Sequence, residues 1–162
     1  MESFNAKEFA EKTGRVVSFV QDNESKSHYG VLRGLHFQLP PYAQSKLVRV
    51  VQGKVIDVAV DIRWGSPSFG KYVMCELTED NHRQFFVPKG MAHGFLVLSD
   101  EAVFQYKCDD FYHPEAEGAI AWDDPEIGIA WPVLSNDIIL SEKDKHHPTL
   151  KGFFTPFHFE EP

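Results

Sequence analysis

The stretch Gly30-Val31-Leu32-Arg33-Gly34-Leu35-His36-Phe37-Gln38, followed by the polar cluster Gln44-Ser45-Lys46, is where residue types and spacing first suggest chemistry. An extended segment alternates its side chains, which puts Leu32, Gly34, His36 and Gln38 on one face and Val31, Arg33, Leu35 and Phe37 on the other. His36 then points where small neighbours leave room. A histidine beside a glycine, with Lys46 a short way on, can set a base against a developing oxyanion across one cavity. The plainer alternative is a hydrogen-bonded core histidine, and this stretch alone leaves it open.

These side chains need a frame to position them. Asn5 to Gly14 predicts a short surface helix, with Asn5 as cap, Ala6, Phe9 and Ala10 as an apolar stripe, and Gly14 as stop. From Arg15 the period changes to two. Arg15 to Val20 reads as a strand that Gln21-Asp22-Asn23 leave, and Tyr29 to Gln38 as the next, ended by Leu39-Pro40-Pro41. Lys46 to Val51, a Gln52-Gly53 turn and Lys54 to Ile62 read as a hairpin. In its second arm Ile56, Val58, Val60 and Ile62 alternate with Val55, Asp57, Ala59 and Asp61. Further strands are expected at Tyr72 to Leu77, Arg83 to Val87, Ala92 to Leu98 and Ala102 to Lys107, with a short one near Ala119 to Trp122. Many short strands with frequent turn signals predict an all-β chain: a jelly-roll β-sandwich or barrel with a few short peripheral helices. The 162 residues form one domain, with 151–162 as an irregular aromatic tail.

The formal charge of −8 argues against nucleic acid as a partner, because phosphate neutralisation needs clustered Lys and Arg. An anionic small ligand would need local cations, for which Arg33, Lys46 and Arg49 are candidates. Cys75 and Cys108 sit in strand-like apolar runs and read as reduced core residues. No apolar run approaches the length of a membrane span and the start lacks a basic-then-apolar segment, so the expected location is the cytoplasm, with no membrane partner.

Pro88-Lys89-Gly90-Met91-Ala92-His93 has the Pro-x-Gly-x-x-His pattern of the second cupin motif, in which a tight turn delivers a histidine into a jelly roll. A metal-binding cupin would add a His-x-His pair and a Glu, whereas here the nearest match is His36-Phe37-Gln38. With an amide in place of one imidazole, three good protein ligands are hard to assemble, and no metal is expected. His146-His147, His28, His82, His113 and His158 read as solvated loop features.

Several ordered motifs carry a more specific likeness. Val31-Leu32-Arg33-Gly34-Leu35-His36-Phe37-Gln38, Lys46-Leu47-Val48-Arg49-Val50-Val51, Asp57-Val58-Ala59-Val60-Asp61, Ala92-His93-Gly94-Phe95-Leu96, Trp122-Asp123-Asp124-Pro125 and Leu140-Ser141-Glu142-Lys143-Asp144 resemble the dTDP-4-dehydrorhamnose 3,5-epimerase family. The resemblance runs from about Glu2 to Leu150. It implies a cupin-like jelly roll, a homodimer, no metal or organic cofactor, and a dTDP-sugar substrate, dTDP-4-dehydro-6-deoxy-D-glucose, inverted at C3 and C5. By motif, His36 matches the base, Asp144 the carboxylate paired with it, Tyr106 the proton donor on the opposite face, and Lys46 a lysine at the C4 oxygen. Substrate contacts are implied for Glu2, Gln21, Asn23, Arg33, Lys46, His93, Glu117 and Lys143, with Arg33 on the diphosphate and Tyr112 stacked on the thymine. The family carries a further N-terminal section before the segment matching Glu2-Ser3-Phe4-Asn5. Its absence is expected to expose a sheet edge and weaken nucleotide binding. Two other readings stay open: a 3-epimerase or ketoisomerase on a related dTDP-keto-sugar, and a non-catalytic jelly roll that binds sugar nucleotides.

Overall fold

A computed structural model describes residues 1–160; residues 161 and 162 of the expected tail lie outside the described residues. The helix forms as expected. α1 (Ala6–Thr13) starts where the Asn5 side chain accepts hydrogen bonds from the Lys7 and Glu8 amides, and stops at Gly14, whose φ of 68° suits glycine. Phe9 lays α1 against Phe86, ring centroids 5.1 Å apart.

Among the described residues nine strands follow: β1 (Gln21–His28), β2 (Leu32–Gln38), β3 (Lys46–Gln52), β4 (Lys54–Asp61), β5 (Tyr72–Thr78), β6 (Gln84–Val87), β7 (Met91–Val97), β8 (Glu101–Cys108) and β9 (Glu117–Ala119). They form two antiparallel sheets, a four-stranded one in the order β1-β8-β3-β6 and a five-stranded one in the order β5-β4-β7-β2-β9, packed as a jelly roll.

Three expectations about strands are corrected. Arg15 to Val20 has no regular structure, and the strand is the polar segment after it. β1 is an edge strand held by backbone pairing along the whole of β8, from Gln21 opposite Cys108 to His28 opposite Glu101, so it needs no apolar face. β3 and β4 are not a hairpin: they lie in different sheets, and Gly53 (φ 78°) carries the chain from one to the other. An added Cβ there would stand 2.1 Å from the Glu101 carbonyl oxygen. Finally, β2 does not alternate strictly. Arg33 pairs with Phe95 and His36 with His93, so two β2 residues face the single Gly94 in a bulge. Paired residues share a face, and Phe95 and His93 are two apart on β7, so Arg33 and His36 end on the same face rather than opposite ones.

The five-stranded sheet is buried on both sides, which is why β4 is buried from Val55 to Asp61. Its outer side packs Leu35, Phe37, Val58, Val60 and Ile62 against Ile120, Ile127, Leu150 and Phe157. The irregular aromatic tail packs into this layer through its described residues. Phe153 and Phe157 pack on Phe37 with centroids 5.1 and 5.9 Å away, and the Thr155 hydroxyl donates to the Ile62 carbonyl at 2.6 Å. Between the sheets, Val48, Val50, Val55, Phe95 and Phe104 close one part of the sandwich. The remaining space is the cavity.

Candidate active site

The cavity has a volume of about 490 Å³, and residues of both sheets line it. The β2 bulge supplies His36 and Arg33 together. The bulge depends on two glycines, because a Cβ on Gly34 would sit 2.7 Å from the Gly94 Cα, so only bare backbones let β2 and β7 approach there. His36 Nε2 lies 2.5 Å from Asp144 Oδ1, a contact between residues 108 apart in sequence. Asp144 arrives on a segment that crosses the open end of the sandwich. The Ile139 amide donates to the Gly30 carbonyl at 2.8 Å and the Leu32 amide to the Ile139 carbonyl at 3.0 Å, which seats this segment beside β2. A short helical turn, Lys143–Lys145, then presents the carboxylate.

The Asp144 environment explains its charge. Burial pushes the carboxyl up, but hydrogen bonds from His36 and from the Ser141 hydroxyl, 2.7 Å from Oδ2, outweigh it and hold the carboxyl at about 2. A second pair sits deeper on the same sheet: His93 Nε2 lies 2.8 Å from Asp57 Oδ1. Asp57 is fully buried and its other oxygen has no partner among the described residues, and burial raises its carboxyl despite His93.

The opposing four-stranded sheet supplies Lys46 and Tyr106. Lys46 is paired across strands with Cys108, and Tyr106 with Val48, so both side chains face inward; the Lys46 ammonium lies 5.7 Å from the Tyr106 ring centroid. Burial pushes the Lys46 ammonium down and the Tyr106 phenol up. At the mouth, the Tyr112 hydroxyl donates to Glu117 at 3.1 Å, and Lys143 bonds the other Glu117 oxygen at 2.7 Å. Gln21 and Asn23 meet at 2.9 Å on the same side of the cavity. The Arg33 side chain, exposed at the cavity, has no hydrogen-bond or ion-pair partner among the described residues and is free for a ligand.

The structure thus gathers His36, Lys46, Tyr106, Asp144, Arg33, His93 and Lys143 in one cavity, with Gln21, Asn23, Tyr112 and Glu117 around its adjoining end. Glu2 is not brought there. It lies outside the four-stranded sheet beside α1, where its carboxylate accepts from Asn5 at 3.2 Å. Two histidines read as solvated loop features are not. His113 stacks on Tyr42, centroids 3.6 Å apart, and His147 Nε2 lies 3.3 Å from Asp144 Oδ1. Asp57 and His147 are the site residues that sequence reasoning passed over. A charged residue in the apolar alternation of β4 signalled the first, and the three-residue offset from Asp144 the second. His36, Asp144 and His147 offer atoms within 4.8 Å of one another, and their contacts of 2.5 and 3.3 Å to one carboxylate oxygen are hydrogen-bond distances.

A jelly roll whose cavity holds a carboxylate-backed histidine facing a half-buried phenol and lysine has the acid–base groups of a proton-transfer isomerase. A family model described as dTDP-4-dehydrorhamnose 3,5-epimerase matches residues 1–152, and the chain belongs to that family. A relative of that name from Shigella flexneri is 60% identical over 144 residues, covering 89% of this chain and 78% of the relative. Among solved structures, the dTDP-4-dehydrorhamnose 3,5-epimerase of Elizabethkingia anophelis NUHP1 superposes with a TM-score of 0.89 at 53% identity, over 93% of this chain and 82% of that one. A 3,5-epimerase from Legionella pneumophila, solved with dTDP-4-keto-L-rhamnose, gives 0.88 at 53% identity, over 93% and 79%. No helix among the described residues is long and apolar enough to cross a membrane.

Proposed function

We propose that the protein inverts C3 and C5 of dTDP-4-dehydro-6-deoxy-D-glucose to give dTDP-4-dehydro-L-rhamnose, using its own side chains as acid and base. The observation that carries this reading is that His36 and Tyr106 stand on opposing sheets of one cavity. A sugar lying between the sheets presents one face to each.

A C–H beside a ketone loses its proton at neutral pH only to a positioned base, with help for the enolate oxygen. His36 donates its Nε2 proton to Asp144, which leaves Nδ1, without a partner among the described residues, to take the substrate proton. The imidazolium that results is stabilised by the ionised carboxylate. Lys46, held uncomfortably as a buried cation, gains most when negative charge develops on the C4 oxygen, and His93 is the second donor there. Tyr106, kept protonated by burial, returns a proton from the opposite face and is reprotonated by solvent. Each inversion therefore moves one proton onto His36 and one off Tyr106, and before the next His36 gives its proton up to solvent while Tyr106 regains one. C3 and C5 flank the same ketone, so one base and one acid serve both carbons. Arg33 takes the diphosphate with its planar fork, and Tyr112 with Glu117 and Lys143 takes the nucleoside.

Incubation with the dTDP-4-keto sugar in deuterated water, followed by NMR, tests this: one deuteron is expected at each of C3 and C5. Label at C3 alone would make the protein a 3-epimerase, and tight binding without any label would make it a sugar-nucleotide-binding module. The two free cysteines fit work in the reducing cytoplasm. We also infer a homodimer, because β1 and β6 leave sheet edges that tend to find another chain; light scattering that returned a monomer would remove this part.

A further inference from the structure

We infer that His147 is a positioning residue for the base: by sharing the Asp144 carboxylate with His36, it sets the pH at which His36 becomes free to accept a proton. Asp144 Oδ1 faces both imidazoles, His36 Nε2 at 2.5 Å and His147 Nε2 at 3.3 Å, while Oδ2 is taken by Ser141 at 2.7 Å. One oxygen serving two donors offers less of its charge to each. The two rings meet edge to face, 5.8 Å between centroids and 88° between planes, so a proton on His147 also places a positive charge where it opposes a second one on His36. Both effects act in the same direction, toward a free base at lower pH.

His147 is not a chance neighbour. The Ala121 amide donates to the Pro148 carbonyl at 2.8 Å and the His146 amide to the Lys143 carbonyl at 3.3 Å, fixing the backbone on either side. The side chain is 18% exposed, against 22% for His36, so it is open to solvent protons yet packed in the site. Among the described residues, its ion-pair contact is with Asp144 and its ring contact with His36. Glu117, Lys143, Lys46, His93, Arg33 and Tyr106 surround His36 and stay unchanged in the variants below. Two imidazoles on one carboxylate titrate as a coupled pair.

This inference rests on the proposed proton abstraction, so the test reads both turnover and the histidine itself. In the 162-residue chain, the acid limb of kcat/KM is expected to move up by about one pH unit in His147→Ala. His147→Gln keeps a donor for Asp144 but no charge, and its limb should fall between those of the Ala variant and the parent. NMR titration of the His36 ring in the ligand-free protein should give the same order of midpoints. Midpoints that coincide in all three proteins, or a limb that moves down, overturn the inference; a role confined to packing lowers the whole profile and leaves the limb in place. Midpoints that move in a protein showing no turnover would keep the coupling and fail the proposed function instead.

Discussion

The two sheets treat their polar residues in opposite ways. On the five-stranded sheet each cavity histidine is backed by a buried carboxylate, His36 by Asp144 and His93 by Asp57. On the four-stranded sheet Lys46 and Tyr106 have no side-chain hydrogen bond among the described residues, only each other's company across 5.7 Å. The first arrangement favours a charge when it appears on the ring. The second penalises charge, since burial drives the lysine down and the phenol up. One wall of the cavity thus favours a protonated ring and the other keeps its phenol protonated until a strong base such as a carbanion forms beside it, and the proposed inversion at carbon uses both.

Breaking the receiving wall should cost most. His36→Ala is expected to stop deuterium exchange at C3 and C5 alike, with turnover down by roughly 10²- to 10⁴-fold, as for other acid–base groups. Near-parental turnover would dismiss this assignment. Disabling the other wall sharpens the contrast: Tyr106→Phe should let the proton leave and return on the same face, so NMR should show exchange retained while inversion is lost. Equal losses of exchange and inversion would mean that the walls do not divide the work. Arg33 belongs to neither task. Arg33→Ala should weaken dTDP binding by about one to two decades in calorimetry, the loss of a charge-assisted contact worth roughly 1.5 to 3 kcal/mol. Unchanged affinity would move the diphosphate elsewhere.

The smallest effect concerns folding. Asp144 falls from an ordinary 3.8 to about 2, so the folded chain resists protonation there more than the unfolded chain does. The stability this gives is complete above the unfolded value and lost as pH falls from about 4 toward about 2, at most about 2 kcal/mol. Asp144→Asn should therefore flatten the acid-unfolding curve in that window, read by circular dichroism. A parental slope there would show that the pairing adds nothing to stability.

Much of this frame was legible in the residues. Asn5 and Gly14 bounded the helix because capping chemistry is local, and β4 declared itself by its alternation. What escaped was non-local. β1 has no apolar face to read, since β8 holds it by backbone pairing and by polar side-chain pairs such as Asp22 with Lys107 and Lys26 with Glu101. The step between sheets at Gly53 looks like any tight turn, and the bulge at Gly34 depends on Gly94 lying against it. The site divides in the same way. His36 and Lys46 drew attention through their neighbours, but no periodicity links residue 36 to residue 144. That pairing, and Tyr106 as the acid, came from likeness to a family. His147 fell outside both routes, because its one signal, the three-residue offset from Asp144, lies beyond the end of the quoted motif.

The carboxylate that completes the base lies 108 residues after it in the chain. During synthesis at about 5 to 20 residues per second, the histidine, lysine and phenol are therefore all made before the aspartate exists. A nascent chain then holds both sheets of the cavity but not the segment that closes it and fixes the imidazole. Competence comes last, when residues 139–148 dock against the sandwich, and it is the first property to go if that segment lifts away while the sheets stay folded.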